Sequence, residues 1–307
     1  DGAADLFLYY ADGTLERQEE DSDFDGRIDR KSQAGEGGTQ VQEADTTGDG
    51  RIDTWITTNA EGQIIRRDED RSGNGVRDFT ALFSKGQVTR IEQRDPERDC
   101  VVLRQTLDRG GNVTREEKDT RNDCTIDSWN LFENGRLARQ GMDSQGRGFP
   151  DILSHIDAQG RIRRQELASA RGRPDKKLYL DVSGAVVRQC VDSTGNGRFD
   201  TQLKVRGGVV ESALIDTTGD GNPDQRETYR NGGRVGLEAD TNDDRRPDVV
   251  QVLDGDTVTQ QDEDTDFDGL IDRRFQGTTE ATVPEGTQAP PALGKFECGS
   301  FDRFWRR

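Results

Sequence analysis

The chain has 307 residues, with 61 Asp and Glu against 43 Lys and Arg, a formal net charge of −18. Only 29% of residues are hydrophobic and 34% are charged, so little apolar surface is available to offset the entropy of ordering the chain. The acidic balance disfavours nucleic acid and anionic membrane as partners, and no apolar run reaches the length of a membrane span.

From the first residue onward the chain repeats itself. Asp45-Thr46-Thr47-Gly48-Asp49-Gly50-Arg51-Ile52-Asp53 serves as a nine-residue template. Related stretches begin at 21, 45, 70, 95, 119, 143, 167, 192, 216, 240 and 264, in steps of 24 or 25 residues. A truncated copy opens the chain, with Asp1, Gly2 and Asp5 at template positions 5, 6 and 9. That opening reads as the second half of a loop, in a processed form or a piece of something longer. About sixteen residues after each loop starts comes a glycine turn, an apolar residue and often an arginine, as in Gly86-Gln87-Val88 with Arg90 and Gly135-Arg136-Leu137 with Arg139. Between loop and glycine lies a β-prone stretch such as Thr54-Trp55-Ile56-Thr57-Thr58. Each unit therefore reads as loop, strand, tight turn, strand.

The loops carry the chemistry. The pattern D-x-D-x-D-G-x-x-D places side-chain oxygens at positions 1, 3, 5 and 9, with Gly at 6 for the turn and a carbonyl available at 7. Ca²⁺ takes six to eight such hard oxygens. In chain order the first loop is complete, with Asp21, Asp23, Asp25 and Asp29. The second has Asp45, Thr47, Asp49 and Asp53, and the third has Asp70, Asn74 and Asp78. The next four look unable to bind. Leu103 takes the last position of the copy at 95, Arg121 position 3 of the copy at 119, and Arg147 position 5 of the copy at 143, while Leu167 and Arg171 spoil the copy at 167. An arginine at such a place offers its charge in the metal's stead. Usable loops then return: Asp192, Asn196 and Asp200; Asp216, Thr218, Asp220 and Asp224; Asp240, Asn242, Asp244 and Asp248; and Asp264, Asp266, Asp268 and Asp272.

These loops resemble the calcium loops of thrombospondin type 3 repeats and of FG-GAP (VCBS) units, which are typically extracellular. The hairpin unit with its G-x-V-x-R turn looks like YD/RHS-type repeats, whose hairpins coil into a continuous sheet. No single family matches both features. The loops differ from an EF-hand in lacking the Glu at position 12 and flanking helices.

Cys100 and Cys124 both take loop position 6 in consecutive copies, so a disulfide between them is expected. For Cys190 and Cys298 an intrachain bond is within reach and an intermolecular bond stays open. Residues 277–292 read as a Thr/Pro/Gly-rich linker and 293–307 as an aromatic, basic docking segment carrying Phe296, Phe301, Phe304 and Trp305. Its expected seat is the exposed edge strand of the last repeats, with the next subunit, head to tail, as the rival. His155, the only histidine, is expected to be a packed or solvated strand residue, and no catalytic constellation, phosphate loop or zinc spacing appears.

The sequence thus predicts an all-β, elongated solenoid or spiral of about twelve antiparallel hairpins over residues 1–276, with a β-propeller as the alternative. It predicts about five to seven Ca²⁺ ions, no enzymatic activity, and a secreted bacterial extracellular or cell-surface location. The expected role is a calcium-stabilised structural or adhesive spacer or assembly subunit, with a glycan-type binding module as the alternative. Possible partners are itself, another surface protein or a glycan.

Overall fold

The structure, a computed structural model, describes all residues except Asp1, Ala3 and Arg307, together with the side chain of Arg306. The position-5 residue of the truncated first copy, Asp1, therefore lies outside the described residues. The protein is all-β: about half of the residues lie in antiparallel strands, and the helical elements among the described residues are two short 3₁₀ turns, Glu36–Gly38 and Arg303–Arg306. The chain divides into two units, residues 1–149 and 150–307.

The first unit holds β1 (Leu6–Ala11), β2 (Thr14–Glu20), β3 (Arg30–Ala34), β4 (Gln40–Ala44), β5 (Thr54–Thr58) and β6 (Ile64–Glu69). It continues with β7 (Phe79–Ser84), β8 (Gln87–Arg94), β9 (Val101–Leu107), β10 (Val113–Lys118), β11 (Ser128–Glu133) and β12 (Arg136–Met142). Each strand pairs antiparallel with the next. One cross-strand row of directly opposed residues runs through the unit: Phe7, Glu19, Lys31, Glu43, Trp55, Asp68, Thr80, Glu92, Arg104, Glu117, Trp129 and Gly141. The sequence repeat is thus in phase with the pairing, which is why Trp55 and Trp129 share a row.

The second unit holds β13 (Ile152–Ile156), β14 (Ile162–Ala170), β15 (Arg173–Leu180), β16 (Val186–Val191), β17 (Thr201–Arg206) and β18 (Val209–Ile215). It continues with β19 (Gln225–Arg230), β20 (Gly233–Ala239), β21 (Val249–Asp254), β22 (Thr257–Glu263), β23 (Arg273–Gln276) and β24 (Thr279–Ala281). Its row runs Leu153, Glu166, Lys177, Cys190, Gln202, Leu214, Arg226, Glu238, Val250, Asp262, Arg274 and Ala281. β24 lies inside the stretch expected to be linker and adds one short strand to β23.

Opposite charges meet along these rows. Arg104 reaches Glu92 at 3.1 Å and Glu117 at 2.9 Å, and Arg274 reaches Asp262 at 2.6 Å. The arginines that follow the glycine turns pair beside them, with Arg66–Asp68 at 2.7 Å, Arg90–Glu92 at 3.4 Å and Arg115–Glu117 at 2.8 Å. Cross-strand pairs of this kind stabilise a sheet by a few tenths of a kcal/mol to ~1 kcal/mol each.

Two recurrent apolar positions of the template do not fall on one strand face. Position 8 of the template (Ile28, Ile52, Ile126, Phe199, Ile271) lies before the strand rather than in it. Position 14 follows a bulge that recurs between positions 13 and 14, at Thr57/Thr58, Leu82/Phe83, Leu131/Phe132, Lys204/Val205 and Thr228/Tyr229. An extra residue breaks the two-residue period, so the two positions are not one continuous face.

Candidate metal centre

In the loops at 21, 45, 70, 119, 143, 192, 216, 240 and 264, the residues at positions 4 and 6 both have left-handed φ. Position 6 was expected to turn; position 4 was not. The double turn wraps the backbone around the position-1 carboxylate. Asp21 accepts from the N–H of Phe24 at 2.8 Å and of Gly26 at 2.8 Å. Asp240 accepts likewise from Asp243 at 2.8 Å and Arg245 at 2.6 Å. The closing carboxylate at position 9 caps the loop's entry. Asp29 accepts from the Ser22 N–H at 2.6 Å and hydroxyl at 2.8 Å, and from the Asp23 N–H at 3.2 Å. The closing carbonyl then takes the first N–H of the following loop, as in Asp45 N to Asp29 O at 2.8 Å, except around the copy at 95, where Asp78 O takes Arg94 N and Asp119 N goes to Val102 O.

The Ser or Thr at position 2 is a working residue that the sequence reading missed. Ser22, Thr46, Thr120, Ser193, Thr217, Thr241 and Thr265 all donate their hydroxyls to the closing Asp. Its signal was visible as a recurrent hydroxyl one residue after the first Asp.

Positions 1 and 9 are largely buried, with Asp21, Asp29, Asp127, Asp143, Asp151, Asp192, Asp224, Asp248 and Asp264 all under 9% exposed. Positions 3 and 5 face outward. This divides the labour: positions 1 and 9 build the loop, and positions 3 and 5 decide what it can hold. The loop at 119 makes the division plain. It keeps the cage, with Cys124 N to Asp119 at 2.7 Å and Thr120 N to Asp127 at 3.0 Å, although Arg121 stands at position 3.

Four loops bring carboxylate oxygens within 4.8 Å of one another: Asp21, Asp23, Asp25 and Asp29; Asp216, Asp220 and Asp224; Asp240, Asp244 and Asp248; and Asp264, Asp266 and Asp272. Two oxygens on opposite sides of a Ca²⁺ ion stand about 4.6–5.2 Å apart at its 2.3–2.6 Å bond length, so these sets fit around one ion. An all-oxygen donor set suits a hard cation rather than a soft one. Asp268 is not part of the last set, and Asp45, Asp49 and Asp53 are not among the four. The loops at 70 and 192 have Asn74 and Asn196 at position 5 and so lack the third carboxylate. Thr218 donates to both Asp216 and Asp224 at 3.4 Å, and Asn242 Oδ1 accepts from the Asp244 N–H at 2.9 Å, which seats both position-3 groups in their loops.

The electrostatics match the division of labour. Hydrogen bonds from the Ser22 hydroxyl and N–H hold Asp29 below the ordinary carboxylate range. Asp272 is held down in the same way by Thr265. At Asp45 burial pushes upward, but the N–H groups of Gly48 and Gly50 outweigh it and lower the carboxyl. Asp23 at position 3 goes the other way. The Asp25 N–H pulls it down, but burial and the charges of Asp25, Asp29 and Asp21 outweigh that and raise it. At Asp23 a cation would relieve the crowding, whereas the outward Asp220 is held down by the Asn222 side chain and N–H.

The four central copies differ in how they lost the pattern. At 119, the Arg121 guanidinium lies 3.2 Å from Asp123, 3.4 Å from Asp127 and 3.6 Å from Asp143, and donates to the Asp143 carbonyl at 2.8 Å. A positive charge thus sits among the carboxylates, as expected there. At 143, Arg147 lies over the Phe149 ring at 4.7 Å. At 95 the loop is rebuilt as a hairpin turn, with Arg94 paired to Val101 and Arg98 held on Asp95 at 2.6 Å. The assumed register fails at 167. The N–H that meets the previous closing carbonyl belongs to Ala168 and the closing Asp is Asp175, so the copy is one residue shorter, and Leu167 lies in β14.

Both disulfides form within the chain, Cys100–Cys124 and Cys190–Cys298. Arg98 reinforces the first by donating to Asn122 O at 2.8 Å and Oδ1 at 2.6 Å. The docking segment sits on the face of its own unit, over β13–β17, and not on an edge strand. His155 is a strand residue beside Arg164, with its ring 3.8 Å from Glu166.

No protein-family model matches the chain. No curated protein matches it either. Among solved structures, TarM of S. aureus aligns with 41% of this chain and 21% of its own at 9% identity and a TM-score of 0.22. A porin-like protein from Bacteroides uniformis aligns with 82% of this chain and 91% of its own at 9% identity and a TM-score of 0.17. The TcdB2-TccC3-Cdc42 complex aligns with 88% of this chain and 19% of its own at 12% identity and a TM-score of 0.15. The chain spans about a fifth of the TarM chain, and likenesses at these scores carry no argument about fold or function.

Proposed function

We propose that the chain is a calcium-stabilised structural or adhesive protein of an extracellular or surface compartment, built as an array of equivalent β-hairpin repeats. One observation carries the reading: four loops, recurring in phase with the strand pairing, converge three or four carboxylates within the span of one hard cation. The complete loops at 21 and 264 bind most readily, those at 216 and 240 follow, and those at 45, 70 and 192 are weaker, for about five to seven ions in all. The buried carboxylates at positions 1 and 9 and the outward ones at 3 and 5 repel one another without metal, so binding energy is folding energy.

Two disulfides fit an oxidising compartment, and among the described residues no helix is long and apolar enough to cross a membrane. The alternative is a glycan-type binding module; at Trp55, Arg77 lies over one face of the ring at 4.3 Å. No catalytic role is assigned to any residue.

The test is a thermal melt with and without a calcium chelator. Chelation is expected to lower the melting temperature by well over 10 °C and calcium to restore it, with five to seven ions in native mass spectrometry. A melt that does not respond to chelation would overturn the calcium reading. Microscopy of the native source for fibres or surface layers, set against a glycan array, separates the structural from the glycan reading.

A further inference from the structure

β1 is an edge strand of the first unit, and among the described residues its strand partner is β2 alone. It reads Leu6-Phe7-Leu8-Tyr9-Tyr10-Ala11, without a charge or a proline. Leu6, Phe7, Leu8, Tyr9 and Tyr10 are all exposed, and alternation along the strand puts them on both faces. The corresponding strands β5, β7, β11 and β17 have a partner on each side, and none of their apolar residues is exposed. Edges that face water in folded proteins are blunted by charge, proline or short length. β1 has none of these.

Just before β1 stands a closing aspartate that lacks its donors. In later loops the N–H of the closing Asp goes to the last carbonyl of the preceding strand, as in Asp53 N to Ala44 O at 2.9 Å and Asp224 N to Ile215 O at 2.9 Å. Its carboxylate accepts from position 2 and position 3. Asp224 takes the Thr217 N–H at 2.6 Å, the Thr217 hydroxyl at 2.8 Å and the Thr218 N–H at 2.9 Å. Asp5 holds the same place, since its carbonyl takes the Asp21 N–H at 2.9 Å as a closing carbonyl does. Its Oδ1, however, is buried with no hydrogen-bond partner. A buried acceptor left unpaired is costly, and the loops downstream show which donors fit it: the hydroxyl and N–H groups of a half-loop.

We propose that the outer edge of β1, together with Asp5, is a docking site for a β-strand that ends in the half-loop Asp-Ser/Thr-x-Gly, the second strand of a further hairpin of this repeat type. Strand addition to an open edge draws affinity from main-chain hydrogen bonds and specificity from side chains. The register follows from β18 and β19, where Ile215, Leu214 and Ala213 face Gln225, Arg226 and Glu227. Transferred to β1, the partner's last three strand residues lie opposite Leu6, Phe7 and Leu8, and its position-2 hydroxyl meets Asp5. The far end of a second copy does not fit. Its last strand, β24, is followed by Thr282-Val283-Pro284-Glu285, with no Asp to begin a half-loop. Residues 287–289 also return across the loop at 264, with Ile271 N to Thr287 O at 2.8 Å and Ala289 N to Gly269 O at 3.0 Å. The inference does not rest on metal binding.

A synthetic hairpin of residues 201–219 is the probe, because it carries β17, β18 and the half-loop Asp216-Thr217-Thr218-Gly219. Added to the full chain at a fixed calcium concentration, it is expected to bind one to one in isothermal titration calorimetry and to slow amide hydrogen exchange in β1. A Thr217→Val hairpin is expected to bind about tenfold more weakly, since one hydrogen bond to a charged group is worth about that factor. The full-length Asp5→Ala protein, checked for strand content by circular dichroism, is expected to bind the two hairpins equally. No binding, protection on strands other than β1, equal affinity of the two hairpins for the parent, or an unchanged ratio in Asp5→Ala would overturn the proposal.

Discussion

At the scale of single residues, the loops separate two roles that one aspartate pattern superimposes. Asp127 closes a loop that holds Arg121 rather than a metal, and it is 1% exposed with the Thr120 hydroxyl at 2.7 Å. Asp127→Ala should therefore destabilise by about 1–3 kcal/mol, the cost of stranding its donors, with no change in the number of bound ions; urea denaturation and native mass spectrometry check the two halves. Asp23→Ala should do the reverse. It removes a carboxylate raised by its neighbours' charges, so the chelated protein should melt no lower than the parent while the calcium-loaded protein loses part of its gain. A second residue-scale feature is Phe24, 59% exposed at φ 66°. A left-handed L-residue costs about 1–2 kcal/mol, and the backbone freedom of glycine returns roughly 0.5–1 kcal/mol of that. Phe24→Gly should stabilise by roughly 0.5 kcal/mol in urea; a loss of stability would show that the ring makes a contact worth more than the strain.

At the scale of the element, the loop is a cage first and a binding site second. Nine loops share the left-handed pair at positions 4 and 6, and those at 119 and 143 keep it although arginine has entered the pattern. Arg121→Asp would give Asp119, Asp123 and Asp127 the missing position-3 carboxylate. The expected result is one more calcium ion in native mass spectrometry and a lower melting temperature in chelator, because a guanidinium now among Asp123, Asp127 and Asp143 is exchanged for a fourth negative charge. An unchanged ion count would mean that the cage does not supply the remaining oxygens. The spacing and residue types of these loops were legible in sequence. The deletion at 167 was not, because a nine-residue window slid over Leu167 still finds a plausible number of polar residues, and only the Ala168 N–H to Asp151 carbonyl bond fixes the frame.

At the scale of the whole molecule, the excess of acid sets the response to pH. Asp29, Asp45 and Asp272 are held below the value of 3.8 that they have when unfolded. Their stabilisation is fully present above that pH and is lost as pH falls through their lower folded values. The chelated protein should therefore lose melting temperature progressively below about pH 3.8. Asp23, raised in the fold, opposes this, since protonation relieves its repulsion. Calcium should lose its effect over the same range, because its ligands must be ionised. Melts across pH 2.5–6 with and without chelator check both; a chelated melt flat to pH 2.5 would mean that the loop carboxylates contribute nothing to the metal-free fold.

The sequence by itself determined the all-β class, the period, the loop positions that carry oxygens, and the Cys100–Cys124 pair. These depend on local chemistry that repeats every 24 or 25 residues, and repetition averages out local ambiguity. Tertiary structure alone decided three further matters. Carboxylates converge in four loops, because their separation depends on how positions 3 and 5 turn around the cage. Glu166, Lys177 and Cys190 form one row on one face, because strand register places residues 11 to 13 apart in sequence side by side. Residues 296–305 seat on that face rather than on an edge, because the match of main-chain groups to Lys177, Glu166, Arg188 and Gln202 exists only once four strands are paired, and no single segment encodes it.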